Sequence, residues 1–191
     1  MKKIISTNIL ALVLIFLVSV LGVRSAEKAE KKDNPGKKTE SIDSTQINWL
    51  PYDVGLEKAK KEKKHILVDF YTNWCYYCKK MDKEVFNRPE IIKVLNRDFV
   101  AIRVNAESRK ELNIDGYKIT ERNLAVSEYR VRGYPAYWFL KPNSEKLGVL
   151  PGYQSADVMM DVLYFMKEAL YDKMKFDEYM KNGGRKSLAK G

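Results

Sequence analysis

The sequence predicts an α/β fold in which a central mixed β-sheet is flanked by helices on both faces. Three observations lead there. His65–Tyr71 (HILVDFY) and Phe99–Val104 are continuous apolar runs of strand length, the pattern of strands buried on both faces. Two more strand-like runs, Tyr134–Leu140 and Lys146–Leu150, follow one another across a Pro142-Asn143 turn. Helical patterns complete the order helix–strand–helix–strand, then helix–strand–strand–helix.

The chain opens with Lys2 and Lys3, followed by Ile9–Val23, an apolar and small-residue run broken only by Ser19 and Gly22. Residues 1–25 therefore read as a secretory signal peptide. A retained membrane anchor is the alternative, because Ile4–Val23 approaches the roughly 20 residues that a spanning helix needs. Both readings carry the rest of the chain across a membrane into an oxidising compartment, periplasmic or exported, soluble or tethered. Residues 26–46 are rich in Lys, Glu, Ser, Thr and Asp with few apolar side chains, the composition of a flexible linker. A folded domain is expected over residues 47–172.

Within that domain Tyr52–Lys64 carries Leu56 and Ala59 among many charges, which suggests a short surface helix. Cys75–Phe86 repeats apolar residues at helical spacing, and Pro89 breaks the helix or starts a new one, continued by Ile91, Ile92 and Leu95. Asp115-Gly116 between Leu112-Asn113-Ile114 and Tyr117-Lys118-Ile119 predicts a hairpin turn. Thr120 is a candidate cap for a short helix reaching Tyr129. Ser155–Tyr171 has the clearest apolar stripe, Val158, Met159, Val162, Leu163, Met166 and Leu170. Residues 173–191 hold six basic and two acidic residues and read as a basic C-terminal tail, a short helix that then frays.

The length of 191 residues suits one domain with appendages, and 45% hydrophobic residues can build a core. Of the 35 basic residues, Lys2, Lys3 and Arg24 lie in the first segment, which leaves 32 against 25 acidic ones. These charges are interleaved and accompany no nucleic-acid motif, so they read as a solvated surface and no nucleic-acid partner is expected.

The chemistry concentrates in the two cysteines, Cys75 and Cys78, within Trp-Cys-Tyr-Tyr-Cys-Lys. They follow a buried strand and open a helix, a context far more specific than a bare C-x-x-C. A helix N-terminus stabilises a thiolate, the attacking species in disulfide exchange. The spacing puts the second thiol one turn from the first. Cys75 is thus the candidate nucleophile and Cys78 the resolving thiol, working through a mixed disulfide. A structural disulfide, a zinc site and covalent haem attachment compete. The loop is too short for a good staple, His65 is the only histidine, and Lys79 stands where a haem motif needs histidine. No metal and no cofactor are expected.

These residues resemble the thioredoxin fold family, over roughly Trp49–Tyr171. Val68–Lys79, Val131–Ala136 (VRGYPA) and Gly152 carry the likeness. Lys79–Met81 and Val85–Pro89 are similar to the exported thioredoxin-like disulfide reductases, including the C-terminal periplasmic domain of the transmembrane thiol–disulfide interchange protein. The resemblance implies that Trp74 flanks the nucleophile and restricts solvent. Asp69 would be a buried acid beneath Cys78, with a raised pKa, that takes its proton. Tyr134–Pro135 would be a cis peptide whose backbone pairs with substrate. Arg103 matches a basic strand residue near the buried acid or is a plain surface charge. The family's Gly-Pro between the cysteines is Tyr76-Tyr77 here, which leaves the redox direction open and offers contact surface to a protein partner. The segment Ala106–Ser127 is longer than in minimal members. The implied function is reduction of disulfides in exported proteins, fed by a membrane-embedded electron donor. A disulfide oxidant or isomerase, or a non-enzymatic copper-handling or assembly module using the same thiols, are the alternatives.

Overall fold

The computed structural model describes residues 45–188. The signal or anchor segment and residues 26–44 of the linker lie outside them. The elements are α1 (Tyr52–Glu62), β1 (His65–Tyr71), α2 (Tyr76–Glu84), α3 (Pro89–Asp98), β2 (Phe99–Asn105), β3 (Glu111–Ile114), β4 (Tyr117–Thr120), α4 (Glu121–Asn123), β5 (Ala136–Leu140), β6 (Lys146–Pro151), α5 (Ala156–Lys167), α6 (Phe176–Lys181) and α7 (Arg185–Leu188). A π-helical turn (Leu124–Glu128) extends α4, and a 3₁₀ turn (Leu170–Asp172) precedes α6.

Four strands form one sheet in the order β2-β1-β5-β6. β1 runs parallel to β2 and antiparallel to β5, and β6 is antiparallel to β5, so the sheet is mixed. Leu50 adds a parallel bridge at the outer edge of β2, where its backbone bonds Ala101 and Arg103. β1 and β2 are buried along their centres because each face meets helices. On one face Leu67, Phe99, Tyr137 and Phe139 pack under Met81 of α2, Ile91 and Leu95 of α3, and Met159 and Leu163 of α5. On the other, Ile66, Val68, Phe70 and Ile102 meet Tyr52 and Ala59 of α1 and Leu124, Ala125 and Tyr129 beyond the hairpin. Alternate residues of β1 therefore feed two separate core layers, which is why its sequence shows no polar alternation.

Local chemistry sets the boundaries. Pro89 sits at the first turn of α3, where a missing N–H costs nothing. The hairpin β3–β4 turns at Asp115 (φ 51°) and Gly116 (φ 89°), the positive angles that such a tight turn demands. Thr120 caps α4 by accepting a hydrogen bond from the Asn123 N–H at 3.2 Å.

Three predicted spans change. β5 begins at Ala136 rather than Tyr134, because the Tyr134–Pro135 peptide is cis and precedes the ladder. The last long helix ends at Lys167 rather than Tyr171, since Ala169 turns left-handed (φ 48°) and the chain re-enters as a 3₁₀ turn. The short helix expected after residue 173 is α6, and the stretch after it, expected to fray, forms α7. Phe176 and Tyr179 of α6 pack on Phe165 of α5, with ring centroids 5.3 Å from it. Arg185 of α7 pairs with Asp157 at 2.6 Å and Asp161 at 3.0 Å.

Candidate active site

Cys75 follows β1 by a short turn and caps the N-terminus of α2. Its N–H donates to the Thr72 carbonyl at 3.2 Å, and its Sγ accepts from the Cys78 N–H at 3.1 Å. The nucleophile candidate thus faces the positive end of the helix and one direct backbone donor, both of which stabilise a sulfur anion. Cys78 lies one turn along α2 and is bonded to Cys75 as a disulfide, with Cα atoms 5.3 Å apart. Both cysteines are buried. The turn that delivers them belongs to the strand–helix junction, as the sequence predicts.

Around the pair stands an exposed aromatic rim: Trp74 is 67% exposed, Tyr76 71% and Tyr77 53%. Trp74 donates from Nε1 to Glu107 Oε1 at 2.8 Å and meets Tyr134 edge-on at 6.2 Å between centroids. Tyr77 contacts Tyr76 at 5.3 Å and Tyr153 at 6.3 Å. Glu107, from the turn after β2, is a rim residue that sequence reasoning did not single out.

The Tyr134–Pro135 peptide is cis, as the resemblance implies. The Pro135 carbonyl accepts from the Gly152 N–H at 2.8 Å, and Gly152 has φ 75°, which explains a glycine there. An open groove of about 320 Å³ runs past this turn, lined by Val131, Arg132, Gly133, Tyr134, Pro151 and Gly152. A larger apolar cavity of about 770 Å³ lies between β6, α5 and α6, and neither cysteine lines it. The smaller groove is tied to this site through Tyr134, which lines it and whose ring meets Trp74 beside Cys75.

Asp69 lies on β1 and is 1% exposed. Burial drives its carboxyl up to about 7, the opposing pull of Arg103 falling short, while the charge of Asp82 pushes it the same way as burial. Arg103 Nε is 3.1 Å from Asp69 Oδ2, but its N–H does not point along that line, so the contact is an ion pair without a hydrogen bond. Arg103 Nη2 instead grips both oxygens of Asp82 at 2.8 and 2.9 Å. The guanidinium lies over the rings of Tyr71 (4.5 Å) and Trp49 (5.2 Å). Between the two readings that the sequence left open for Arg103, the structure selects the one beside the buried acid. Asp82 was not anticipated, although its place four residues after Cys78 puts it one turn further along α2. His65 is at the opposite end of β1, 2.7 Å from the Tyr171 hydroxyl, and burial holds its imidazole below the ordinary value.

A buried carboxyl that titrates near neutrality can accept and return one proton, and Asp69 lies on β1, the strand that leads into the cysteine pair. A family model described as a thioredoxin-like domain matches residues 52–167. The thiol:disulfide interchange protein DsbD of Pseudomonas fluorescens is 29% identical over 91 residues, 48% of this chain and 14% of that protein. Human spermatogenesis-associated protein 20 is 32% identical over 68 residues, 35% of this chain and 9% of that protein. The matches therefore span about a tenth of those relatives' length. A thioredoxin-fold protein from Helicobacter pylori superposes with a TM-score of 0.54 at 25% identity, covering 67% of this chain and 82% of that one. A thioredoxin from Thermus thermophilus shares the fold at a TM-score of 0.52 and 24% identity, covering 64% and 88%. With the matching model spanning more than half of the chain, and a four-stranded mixed sheet with a cysteine pair after β1 and a cis-proline before β5, the chain belongs to the thioredoxin-like domain family.

Proposed function

We propose that this protein is a thiol–disulfide oxidoreductase that reduces disulfides in exported proteins, on the periplasmic or outer side of a membrane. One observation carries the reading: Cys75 and Cys78 share the N-terminus of α2, and β1, the strand that leads into it, holds the buried carboxyl of Asp69, whose pKa is about 7. The Cys75 thiolate attacks one sulfur of a client disulfide and displaces the other as a thiolate, leaving a mixed disulfide. Cys78 passes its proton to the Asp69 carboxylate and attacks Cys75 Sγ. The Cys75–Cys78 bond forms, the client's second thiolate departs, and two electrons have moved from the pair to the client. A second dithiol, which we assign to a membrane-embedded donor, returns the pair to its reduced form. The DsbD relative, a thiol:disulfide interchange protein by name, supports such a relay.

The other residues have supporting roles in this reading. Trp74 flanks the sulfur, the Tyr134 backbone beside Pro135 pairs with an extended client segment, and Tyr76 and Tyr77 supply its contact surface. Residues 1–25 deliver the chain across the membrane, as signal or anchor, and residues 26–46 space the domain from it.

The test is the equilibrium reduction potential of the pair in the purified protein, read against a thiol buffer. A value near the roughly −270 mV of thioredoxin supports reduction of clients, whereas one near −120 mV reverses the direction and makes the protein an oxidant. Cys75→Ser should abolish client reduction; full activity in that variant would sink the reading altogether.

A further inference from the structure

Strand register aligns Arg103 of β2, Asp69 of β1 and Tyr137 of β5 in one row across the sheet. Asp69 and Tyr137 are directly opposed on antiparallel strands, where Cβ atoms stand about 5 Å apart and side chains share a face. That face is the one under α2, since Tyr137 packs with Met81 and Phe86 in one core layer and Arg103 reaches up to Asp82. Tyr137 is fully buried, and its hydroxyl has no hydrogen-bond partner. Asp69 Oδ1 is likewise buried without a partner. Arg103 Nε, 3.1 Å from Asp69 Oδ2, is a third atom of the row without a hydrogen bond. Three such atoms in one row are unusual, because an unmatched buried polar group is costly and rare.

We propose that the Tyr137 hydroxyl is the hydrogen-bond donor to the free oxygen of Asp69, and that it acts as a positioning residue that sets the pH at which Asp69 can take the Cys78 proton. The donor is Tyr137 whether the bond is direct or passes through one water. The titratable and charged groups that face Asp69 are Arg103 from β2, Asp82 from α2 and Tyr137 from β5. Arg103 Nη2 is committed to Asp82 and its Nε lies against the other oxygen, 3.1 Å from Asp69 Oδ2, so Tyr137 is the donor of the row that remains for Oδ1. Burial raises the Tyr137 phenol, and the charge of Asp69 raises it further, ahead of Asp82, as expected of a close neighbour that keeps its proton and donates it. A donor to the ionised carboxylate favours that form, so the hydroxyl lowers the pH at which Asp69 becomes a base.

The inference rests on the oxidoreductase reading for its consequence, but not for its test. In the full-length protein, Tyr137→Phe removes one oxygen and keeps the ring that packs on Phe86. The infrared band of the protonated Asp69 carboxyl, assigned with Asp69→Asn, is titrated in both forms. Its midpoint should rise by about one pH unit in Tyr137→Phe, and the pH profile of client reduction should move up equally, roughly fivefold slower at pH 7 and converging at high pH. In the Asp69→Asn background the same substitution should leave the profile unchanged. Coincident carboxyl titrations in wild type and Tyr137→Phe would overturn the proposal. A wild type that reduces no client at any pH would overturn the oxidoreductase reading instead, with the infrared titration still deciding the role of Tyr137.

Discussion

At the scale of single residues, Asp69 sets the terms. An ordinary aspartate has a pKa of 3.8, and burial holds this one near 7. Between those values the folded protein keeps a proton that the unfolded chain has released. The folded state therefore binds more protons, and stability falls as pH rises from about 4 to about 7, then levels off. At about 1.4 kcal/mol per pH unit, the window amounts to about 4 kcal/mol. Asp69→Asn removes the buried charge while Arg103 keeps Asp82 as partner. The variant should be more stable than wild type at pH 8, by about 2–4 kcal/mol in urea unfolding, and the two should converge near pH 4. An unchanged or lower midpoint at pH 8 would show that the carboxyl is not held protonated by burial. A carboxyl retained at such a cost to stability fits a role in chemistry better than one in packing.

At the scale of elements, the contact between α1 and β2 is the tightest test of packing. Gly55 lies inside α1, where alanine ordinarily gains about 1 kcal/mol through helix propensity. Here a Cβ at residue 55 would run into the Ile102 side chain, itself fully buried in the centre of β2. Overpacking of this kind costs about 1–3 kcal/mol and moves backbone. Gly55→Ala should therefore lower the unfolding midpoint in spite of its propensity gain, and a stabilised Gly55→Ala protein would mean that α1 sits further from the sheet. The strand β2 that Gly55 packs on also holds Arg103, so the same contact supports the pair with Asp69 from below.

At the scale of the whole molecule, the C-terminal helices complete the core rather than trail from it. Phe165, Leu170 and Tyr179 form a buried cluster with Phe176 and Met180 around them, and Arg185 locks α7 to two aspartates of α5. α5 also lines the core layer beneath α2 and the sheet, so its position bears on the site. Removing residues 173–191 would uncover the Phe165 side chain and strip Asp161 of its buried-side partner. The truncated protein should lose thermal stability and bind a hydrophobic dye more strongly, with its redox chemistry intact when folded. A truncated protein that melts like the full chain would show that the two helices add nothing to the domain.

The chain's chemistry was legible wherever it depends on neighbours in sequence. A buried strand running into a helix N-terminus with Cys75 and Cys78 at its opening is local information, and so are the Pro89 helix start, the Asp115-Gly116 hairpin and the Thr120 cap. The cis Tyr134–Pro135 peptide came from the likeness of its flanking residues to a family. What the sequence left open depends on which strands lie side by side. Arg103 could be a surface charge or the neighbour of Asp69 until β2 was paired with β1, and Tyr137 read as one more apolar strand residue until β5 was set opposite β1. The basic composition of residues 173–191 suggested a short helix and a fraying tail, because charge reports solubility and says nothing of the Phe176 and Tyr179 side chains between those charges. Local patterning is written in periods of two and 3.6 residues, whereas the row from Arg103 through Asp69 to Tyr137 joins positions more than thirty residues apart, and only the folded sheet brings them together.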